Sequence, residues 1–163
     1  MTKCLLGFMG VGKTTVSAHL GERFVDMDAL ITDRIGMPIS DYFSLKGEAA
    51  FRQIESQLLE NLLSSNEYQV VATGGGVVTS TKNRELLRKN RKQNILLTAS
   101  FDVLYDRLKQ DHLNKRPLFM NLSKKEFYAL YLERKALYEE VSDVVITVDH
   151  RTPEEIAQII KAV

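Results

Sequence analysis

A glycine-rich motif near the start of the chain limits the possible folds more than any other feature. Residues 7–14 read GFMGVGKT and match G-x-x-x-x-G-K-[ST] at every fixed position. An apolar run at residues 3–7 predicts a strand before the motif, and residues 13–22 predict a helix after it. In this context the backbone N–H groups of the turn and the helix N-terminus bind phosphate. The motif therefore predicts a nucleoside triphosphate site, in which Lys13 reaches the phosphates and Thr14 can bind Mg²⁺.

Strand-like and helix-like runs alternate along the rest of the 163 residues. Further strands are predicted at residues 24–27, 69–72, 94–98 and 143–148. Further helices are predicted from about residue 29, at 47–63, 83–89, 101–109 and 124–140, and after the N-cap Thr152. Residues 110–121 are polar and basic with one proline, and they predict a mobile loop. This alternation favours a single α/β domain built on a parallel sheet.

Composition argues against several classes of protein. With 22 basic and 21 acidic residues, the net charge of +1 gives no support to nucleic-acid or polybasic membrane binding. The chain has no apolar stretch long enough for a transmembrane helix. Cys4 is the one cysteine, so no internal disulfide can form, and we expect it to be a core residue. We therefore expect a cytoplasmic protein.

Two carboxylates follow the second predicted strand. Asp26 and Asp28 alternate, so on a strand both side chains would face one cleft at the carboxyl edge of the sheet. One carboxylate could hold a metal-bound water, and the other could accept a hydroxyl proton from a phosphoryl acceptor. A solvated turn is the alternative reading of this short pattern.

Arginines and glycines farther along the chain suggest an anionic acceptor. Arg52 can pair with Glu55 on one helix face, or it can bind a substrate carboxylate. Residues 74–76 are three glycines that would let backbone approach a ligand closely, unless they form a plain turn. Arg116 lies in the basic loop and could act from a closing lid, although a solvated loop would also explain it. Arg134 lies on the long helix, where an exposed face is an equal explanation.

The order of these motifs resembles that of shikimate kinases across nearly the whole chain. The shared patterns are G-F-M-G-x-G-K-T, D-x-D, G-E-x-x-F-R-x-x-E, G-G-G, R-P-L and E-R-x-x-x-Y-E-E-V. The resemblance implies a nucleoside-monophosphate-kinase-like fold with a five-stranded parallel sheet in the order 2-3-1-4-5 and helices on both faces. It also implies ATP, Mg²⁺ and phosphorylation of the shikimate 3-hydroxyl in aromatic amino-acid biosynthesis. We expect a monomer whose partners are ATP and shikimate, without nucleic acid or membrane.

The resemblance also implies a role for each matching position. The residues expected at the nucleotide are Gly10, Val11, Gly12, Lys13, Thr14, Thr15, Arg107, Arg116 and Arg151. Those expected at shikimate are Asp28, Arg52, Gly74, Gly75, Gly76 and Arg134. Thr14 and Asp26 would hold the metal, and Lys13, Asp28 and Arg116 would be catalytic. Glu55 would orient Arg52.

The resemblance further implies a shikimate-binding insertion at about residues 29–62 and a lid at about residues 110–121. One departure concerns the stretch between Lys13 and Asp26, which is shorter than the family pattern. Either the first helix or its connection is truncated, or residues are missing from the sequence. A true truncation could displace Asp26 and Asp28, and small positioning errors are costly in catalysis.

Two other functions remain open at this point. Another small-metabolite kinase, such as a gluconate or nucleoside-monophosphate kinase, would share the fold. A nucleotide-dependent switch would share the phosphate-binding motif, but the chain has no N-K-x-D guanine-specificity motif.

Overall fold

A parallel sheet runs through the middle of the protein, as seen in a computed structural model that describes residues 2–21, 23–111 and 117–163. Its five strands within these ranges are β1 Lys3–Leu6, β2 Phe24–Asp26, β3 Val70–Ala72, β4 Asn94–Thr98 and β5 Val144–Thr147. The order across the sheet is β2-β3-β1-β4-β5, and every neighbouring pair is parallel. The strand order implied by the resemblance is therefore confirmed. Because all strands run the same way, their carboxyl ends meet at one edge.

Helices surround this sheet. The α-helices of the described ranges are α1 Lys13–Ser17, α2 Met27–Ile35, α3 Ile39–Lys46, α4 Glu48–Ser65, α5 Thr81–Lys89, α6 Phe101–Gln110, α7 Pro117–Asn121, α8 Lys124–Glu140 and α9 Pro153–Ala162. Single 3₁₀ turns lie at Val77–Thr79 and Arg91–Gln93. Within the described ranges, no helix has both the length and the apolar character needed to cross a bilayer.

The central strand shows why the sheet is covered on both faces. Cys4, Leu5 and Leu6 are consecutive and fully buried, and successive side chains of a strand point to opposite faces. Cys4 is thus the core residue that its apolar surroundings predicted. Burial raises the pKa of its thiol to about 12, so it remains protonated at neutral pH.

The first helix is shorter than predicted. It ends at Ser17 instead of continuing to residue 22, because the chain tightens into a 3₁₀-type turn. In that turn the N–H groups of His19 and Leu20 each bond to a carbonyl three residues earlier. Gly21 then adopts a left-handed conformation with φ 101°, which turns the chain towards β2.

The second helix begins earlier than predicted, and this changes how the two carboxylates are placed. Asp26 is the N-cap of α2, and its Oδ1 accepts hydrogen bonds from the backbone N–H groups of Asp28 at 2.9 Å and Ala29 at 3.4 Å. Asp28 therefore lies in the first turn of a helix. The prediction that both carboxylates occupy alternate positions of one strand was wrong.

Two short helices were not predicted. α3 lies between Gly36, the C-cap of α2, and Gly47, and it packs Ile39, Tyr42 and Phe43 against the core at helical spacing. α7 occupies part of the segment that was predicted as a loop. Residues 112–116 of that segment, which include His112 and the expected lid residue Arg116, lie outside the described residues.

Replacing Thr152 by alanine tests the capping of the last helix. Thr152 Oγ1 accepts from the Glu155 N–H at 3.1 Å, and the Glu155 carboxylate accepts from the Thr152 N–H at 3.4 Å, which together form a capping box. We expect Thr152→Ala to lower the free energy of unfolding by about 1 kcal/mol in urea denaturation. Ser100 is the matched control, because it is the N-cap of α6 but its side chain makes no capping bond. An equal loss from Ser100→Ala would contradict this account.

Candidate active site

The phosphate-binding turn connects β1 to α1 at the carboxyl edge of the sheet. Gly12 is the N-cap of α1 with φ 94°, a left-handed conformation that side chains rarely adopt. Lys13 Nζ donates to the carbonyl oxygens of Gly7 at 2.5 Å and Phe8 at 3.4 Å, so its ammonium lies against the turn itself. Thr14 and Thr15 are exposed at the start of the helix. The turn thus has the form that its sequence predicted.

An aromatic cluster holds this turn against α8. Phe8 is buried within the turn, and its ring lies 5.3 Å from that of Phe127 and 5.5 Å from that of Tyr131. Tyr131 also donates a hydrogen bond of 2.8 Å to the Ala99 carbonyl beyond β4. Phe127 and Tyr131 therefore serve packing between the turn and α8. The cluster fixes the part of α8 that carries Arg134 one turn farther on.

Thr14 and Asp26 meet in spite of the short connection between them. Thr14 Oγ1 donates to Asp26 Oδ2 at 2.6 Å. The shortened first helix therefore leaves Asp26 beside the phosphate-binding turn. The displacement that a truncation could cause is not observed for Asp26. A hydroxyl and a carboxylate oxygen are ligands that Mg²⁺ prefers, so this pair fits the metal that the sequence predicted.

The three glycines after β3 leave space that charged groups fill from both sides. A Cβ on Gly74 would lie 2.8 Å from Asp28 Oδ1, and a Cβ on Gly76 would overlap Arg52 Nη2. Only glycine allows the backbone to approach both groups this closely. The segment 74–76 therefore carries a carboxylate at one end and a guanidinium at the other.

A buried carboxylate holds Arg52 at this position. Arg52 Nη1 donates to Glu55 Oε1 at 2.8 Å, while Arg52 Nε lies 3.5 Å from the Glu48 carboxylate. Glu55 is only 1% exposed, and burial raises the pKa of its carboxyl, against the opposing effect of the Arg52 charge and hydrogen bond. The pairing of Arg52 with Glu55 that helical spacing predicted is present, and it lies inside the protein instead of on the surface.

Arg134 approaches the same glycines from α8. It is 7% exposed, which rules out the exposed helix face that the sequence left open, and burial lowers the pKa of its guanidinium. Its Nη1 lies 3.8 Å from where a Cβ on Gly75 would be. Tyr138 interacts electrostatically with Arg134 and donates a hydrogen bond to the Gly75 carbonyl, so it links the helix to the glycine segment. Two guanidinium groups thus lie along one backbone segment opposite Asp28.

A cleft of roughly 270 Å³ lies on the other side of the phosphate-binding turn. Its lining includes Gly10, Val11, Gly12, Thr15, Arg107, Arg151 and Pro153. Arg107 Nη1 donates to the Gly10 carbonyl at 3.3 Å, and Arg151 Nη1 donates to the Thr147 carbonyl at 2.6 Å. Arg107 and Arg151, which the resemblance placed at the nucleotide, therefore border one cleft with the turn.

Sequence reasoning missed the polar residues behind Glu55. Asn83 Nδ2 donates to Glu55 Oε1 at 3.0 Å, and Ser56 Oγ donates to Asn83 Oδ1 at 2.5 Å. Both are buried. A usable signal was present, because Asn83 falls four residues before Leu87 on the buried face of α5. Among the described residues, no group of three or more His, Cys, Asp or Glu side chains could hold a metal ion.

A parallel sheet in this order, with the phosphate-binding turn beside a carboxylate and an arginine-lined floor, defines a P-loop kinase for a small acceptor. The family model for shikimate kinase matches residues 9–163. Shikimate kinase from Streptococcus thermophilus is 58% identical over 161 residues, with 99% of each chain covered. The solved shikimate kinase from Acinetobacter baumannii in complex with shikimate is 30% identical with a TM-score of 0.78, covering 98% of this chain and 90% of that one. The chain belongs to the shikimate kinase family, as its motif order predicted.

The comparisons also bear on the alternative of a gluconate kinase and on the length of the chain. A gluconokinase from Sinorhizobium meliloti is 20% identical with a TM-score of 0.56, covering 99% of this chain and 89% of that one, and so it shares the fold alone. The Streptococcus thermophilus relative is covered to the same 99% as this chain, so the two chains are of nearly equal length.

Replacing Glu55 by glutamine tests whether the pKa of its carboxyl is raised in the folded protein. The folded-state pKa of Glu55 lies above its ordinary value of 4.5, so the folded protein holds this proton more tightly than the unfolded chain. The contribution of this carboxyl to stability is therefore greatest below pH 4.5 and declines as the pH rises to the folded pKa.

Urea denaturation of the parent protein and of Glu55→Gln, from about pH 4 to about pH 8, measures this contribution. We expect the free energy of unfolding of the parent, minus that of the variant, to fall with rising pH and then level off. A difference that increases with pH would show that the pKa of Glu55 is lowered instead.

Proposed function

We propose that this protein transfers the γ-phosphoryl group of ATP to the 3-hydroxyl of shikimate, giving shikimate 3-phosphate and ADP. One observation supports the acceptor most strongly: Asp28 and Arg52 lie against opposite ends of the glycine segment 74–76, with Arg134 beside its middle. A compact molecule with a carboxylate at one end and hydroxyl groups at the other matches this arrangement of charge. The family membership supports the same substrate.

In this proposal the acceptor binds through its carboxylate. Arg52 and Arg134 would clamp that group, because a guanidinium presents paired N–H donors that match two carboxylate oxygens. Both arginines are largely buried before the acceptor arrives, so little side-chain freedom is lost on binding. Gly74, Gly75 and Gly76 would contact the ring, and the lack of side chains lets the ring lie against the backbone.

The nucleotide would bind on the other side of Lys13. Backbone N–H groups of residues 10–15 and the Lys13 ammonium would hold the phosphates, and Arg107 and Arg151 would border the adenine in the adjacent cleft. Thr14 and Asp26 would hold Mg²⁺, Asp26 through a water molecule. When bound, this ion neutralises negative charge on the phosphate oxygens.

Phosphoryl transfer then needs an acceptor for one proton. The 3-oxygen of shikimate forms a bond to the γ-phosphorus, while the bond from that phosphorus to the β–γ bridging oxygen breaks and ADP leaves. Asp28 would orient the hydroxyl and accept its proton, and Lys13 would stabilise charge on the transferring group. Arg116, from the proposed lid at about residues 110–121, would reach the phosphates and exclude water.

The remaining features of the proposal concern organisation. The chain would act as a monomer and as one kinase domain, with the acceptor-binding insertion at about residues 29–62. The need for ATP and the single buried thiol support the cytoplasm as its location. The near-neutral charge supports small molecules, instead of nucleic acid or membrane, as partners.

A coupled assay of ADP release with Mg²⁺-ATP and a panel of acceptors tests the function. We expect release that depends on shikimate and is negligible with gluconate or a nucleoside monophosphate. ATP binding without shikimate turnover, or equal turnover of gluconate, would overturn the proposal.

Replacing Asp28 by asparagine tests the proton acceptor. The amide keeps the shape but cannot accept the proton, so we expect kcat to fall by about 10²–10⁴-fold with little change in the KM for ATP. Asp33→Asn on the exposed side of the same helix is the matched control and should leave kcat unchanged. A kcat for Asp28→Asn close to that of this control would exclude Asp28 as the base.

A further inference from the structure

A chain of hydrogen bonds connects the interior of α5 to the guanidinium of Arg52. Ser56 Oγ donates to Asn83 Oδ1 at 2.5 Å, Asn83 Nδ2 donates to Glu55 Oε1 at 3.0 Å, and Arg52 Nη1 donates to the same oxygen at 2.8 Å. Glu55 is 1% exposed and Asn83 is fully buried, so water does not replace these partners. Glu55 Oε1 thus has one donor from its own helix and one from a neighbouring helix.

The direction of each bond follows from chemistry. An ionised carboxylate only accepts, so the amide of Asn83 must turn its NH₂ group towards Glu55. Its carbonyl oxygen then faces Ser56, whose hydroxyl donates and keeps the amide from turning over. The pair Ser56 and Asn83 therefore presents one fixed donor to the carboxylate that holds Arg52.

The backbone around Asn83 is tied to the glycine segment. The Asn83 N–H donates to Ser80 Oγ, the N-cap of α5, and Ser80 follows directly after the 3₁₀ turn Val77–Thr79. That turn begins at the residue after Gly76. The same short stretch therefore connects the floor beneath Arg52 to the amide that holds Glu55.

We propose that Asn83, fixed by Ser56, is a positioning residue that sets Arg52 against Gly76 by holding the Glu55 carboxylate from α5. This inference rests on the proposed function only in that shikimate is the ligand used to read it. The relevant distance is that between the Arg52 guanidinium on α4 and the glycine backbone that precedes α5. Without Asn83, Glu55 would be attached to α4 alone, and Arg52 would lose its connection to the floor.

The electrostatic surroundings of Glu55 agree with this role. Burial and the charge of Asp28 on α2 raise the pKa of its carboxyl, while Arg52 on α4 and the Asn83 hydrogen bond lower it. Tyr138 on α8 also interacts with it electrostatically. Asn83 thus favours the ionised form, which is the form that binds Arg52.

Two substitutions test the role. Asn83→Leu removes the donor with little change in shape, and we expect the KM for shikimate to rise about tenfold, while kcat and the KM for ATP stay within about twofold. Ser56→Ala removes only the hydroxyl that orients the Asn83 amide, and we expect the KM for shikimate to rise about threefold. Asn90→Leu is the matched control, because Asn90 is a buried asparagine that bonds to Thr2 and Asn94 instead.

A purely structural role would lower the stability or the active fraction, as in Asn90→Leu, and leave the KM for shikimate unchanged. An unchanged KM in Ser56→Ala, and in Asn83→Leu if that variant folds, would overturn the inference. In an Arg52→Met background, Asn83→Leu should not weaken shikimate binding further, and a full additional loss would also overturn it. These outcomes differ from failure of the proposed function, in which the parent protein itself has no turnover with shikimate.

Discussion

Parallel pairing in the order β2-β3-β1 is the constraint on which the site depends. The register aligns Leu5 of β1 with Ala72 of β3, and Ala72 with Asp26 of β2. The phosphate-binding turn follows β1, the three glycines follow β3, and the carboxylate pair lies at the end of β2. Because parallel strands end at the same edge, these three elements become neighbours without any direct sequence proximity.

The site also depends on charge held inside the protein. Arg134 is 7% exposed, and the Arg52 side chain is 17% exposed. Removing a cation from water costs several kcal/mol unless partners compensate. Glu55 supplies such a partner for Arg52, and the negative charges of Glu48 and Glu133 favour the charged form of Arg134. An anionic ligand would complete the compensation, so the arrangement favours a carboxylate at this position over a neutral group.

The sequence predicted long periodic elements and fixed motifs well. β4 and α8 have the predicted bounds, and the phosphate-binding turn has the predicted form. It predicted less well where side-chain capping or a turn decides the structure. Asp26 caps α2 and draws Asp28 into a helix, while the end of α1 depends on Gly21 and on where β2 must begin. Neither follows from hydrophobic periodicity.

The partner of Asn83 in the polar network behind Arg52 could not be predicted for another reason. Asn83 and Glu55 lie 28 positions apart and meet only because α4 packs against α5. A single sequence shows a polar residue on an apolar face but does not show its partner. By contrast, Arg52 and Glu55 were paired correctly because both lie on one helix at a spacing of three.

Identification of the product by ³¹P–¹H correlation NMR tests the central claim most directly. After incubation with Mg²⁺-ATP and shikimate, we expect one new phosphate resonance coupled to the ring proton at carbon 3, in equal amount to ADP. ADP accompanied only by inorganic phosphate, or a phosphate on another oxygen of shikimate, would contradict the placement of Asp28 and the arginines around the acceptor.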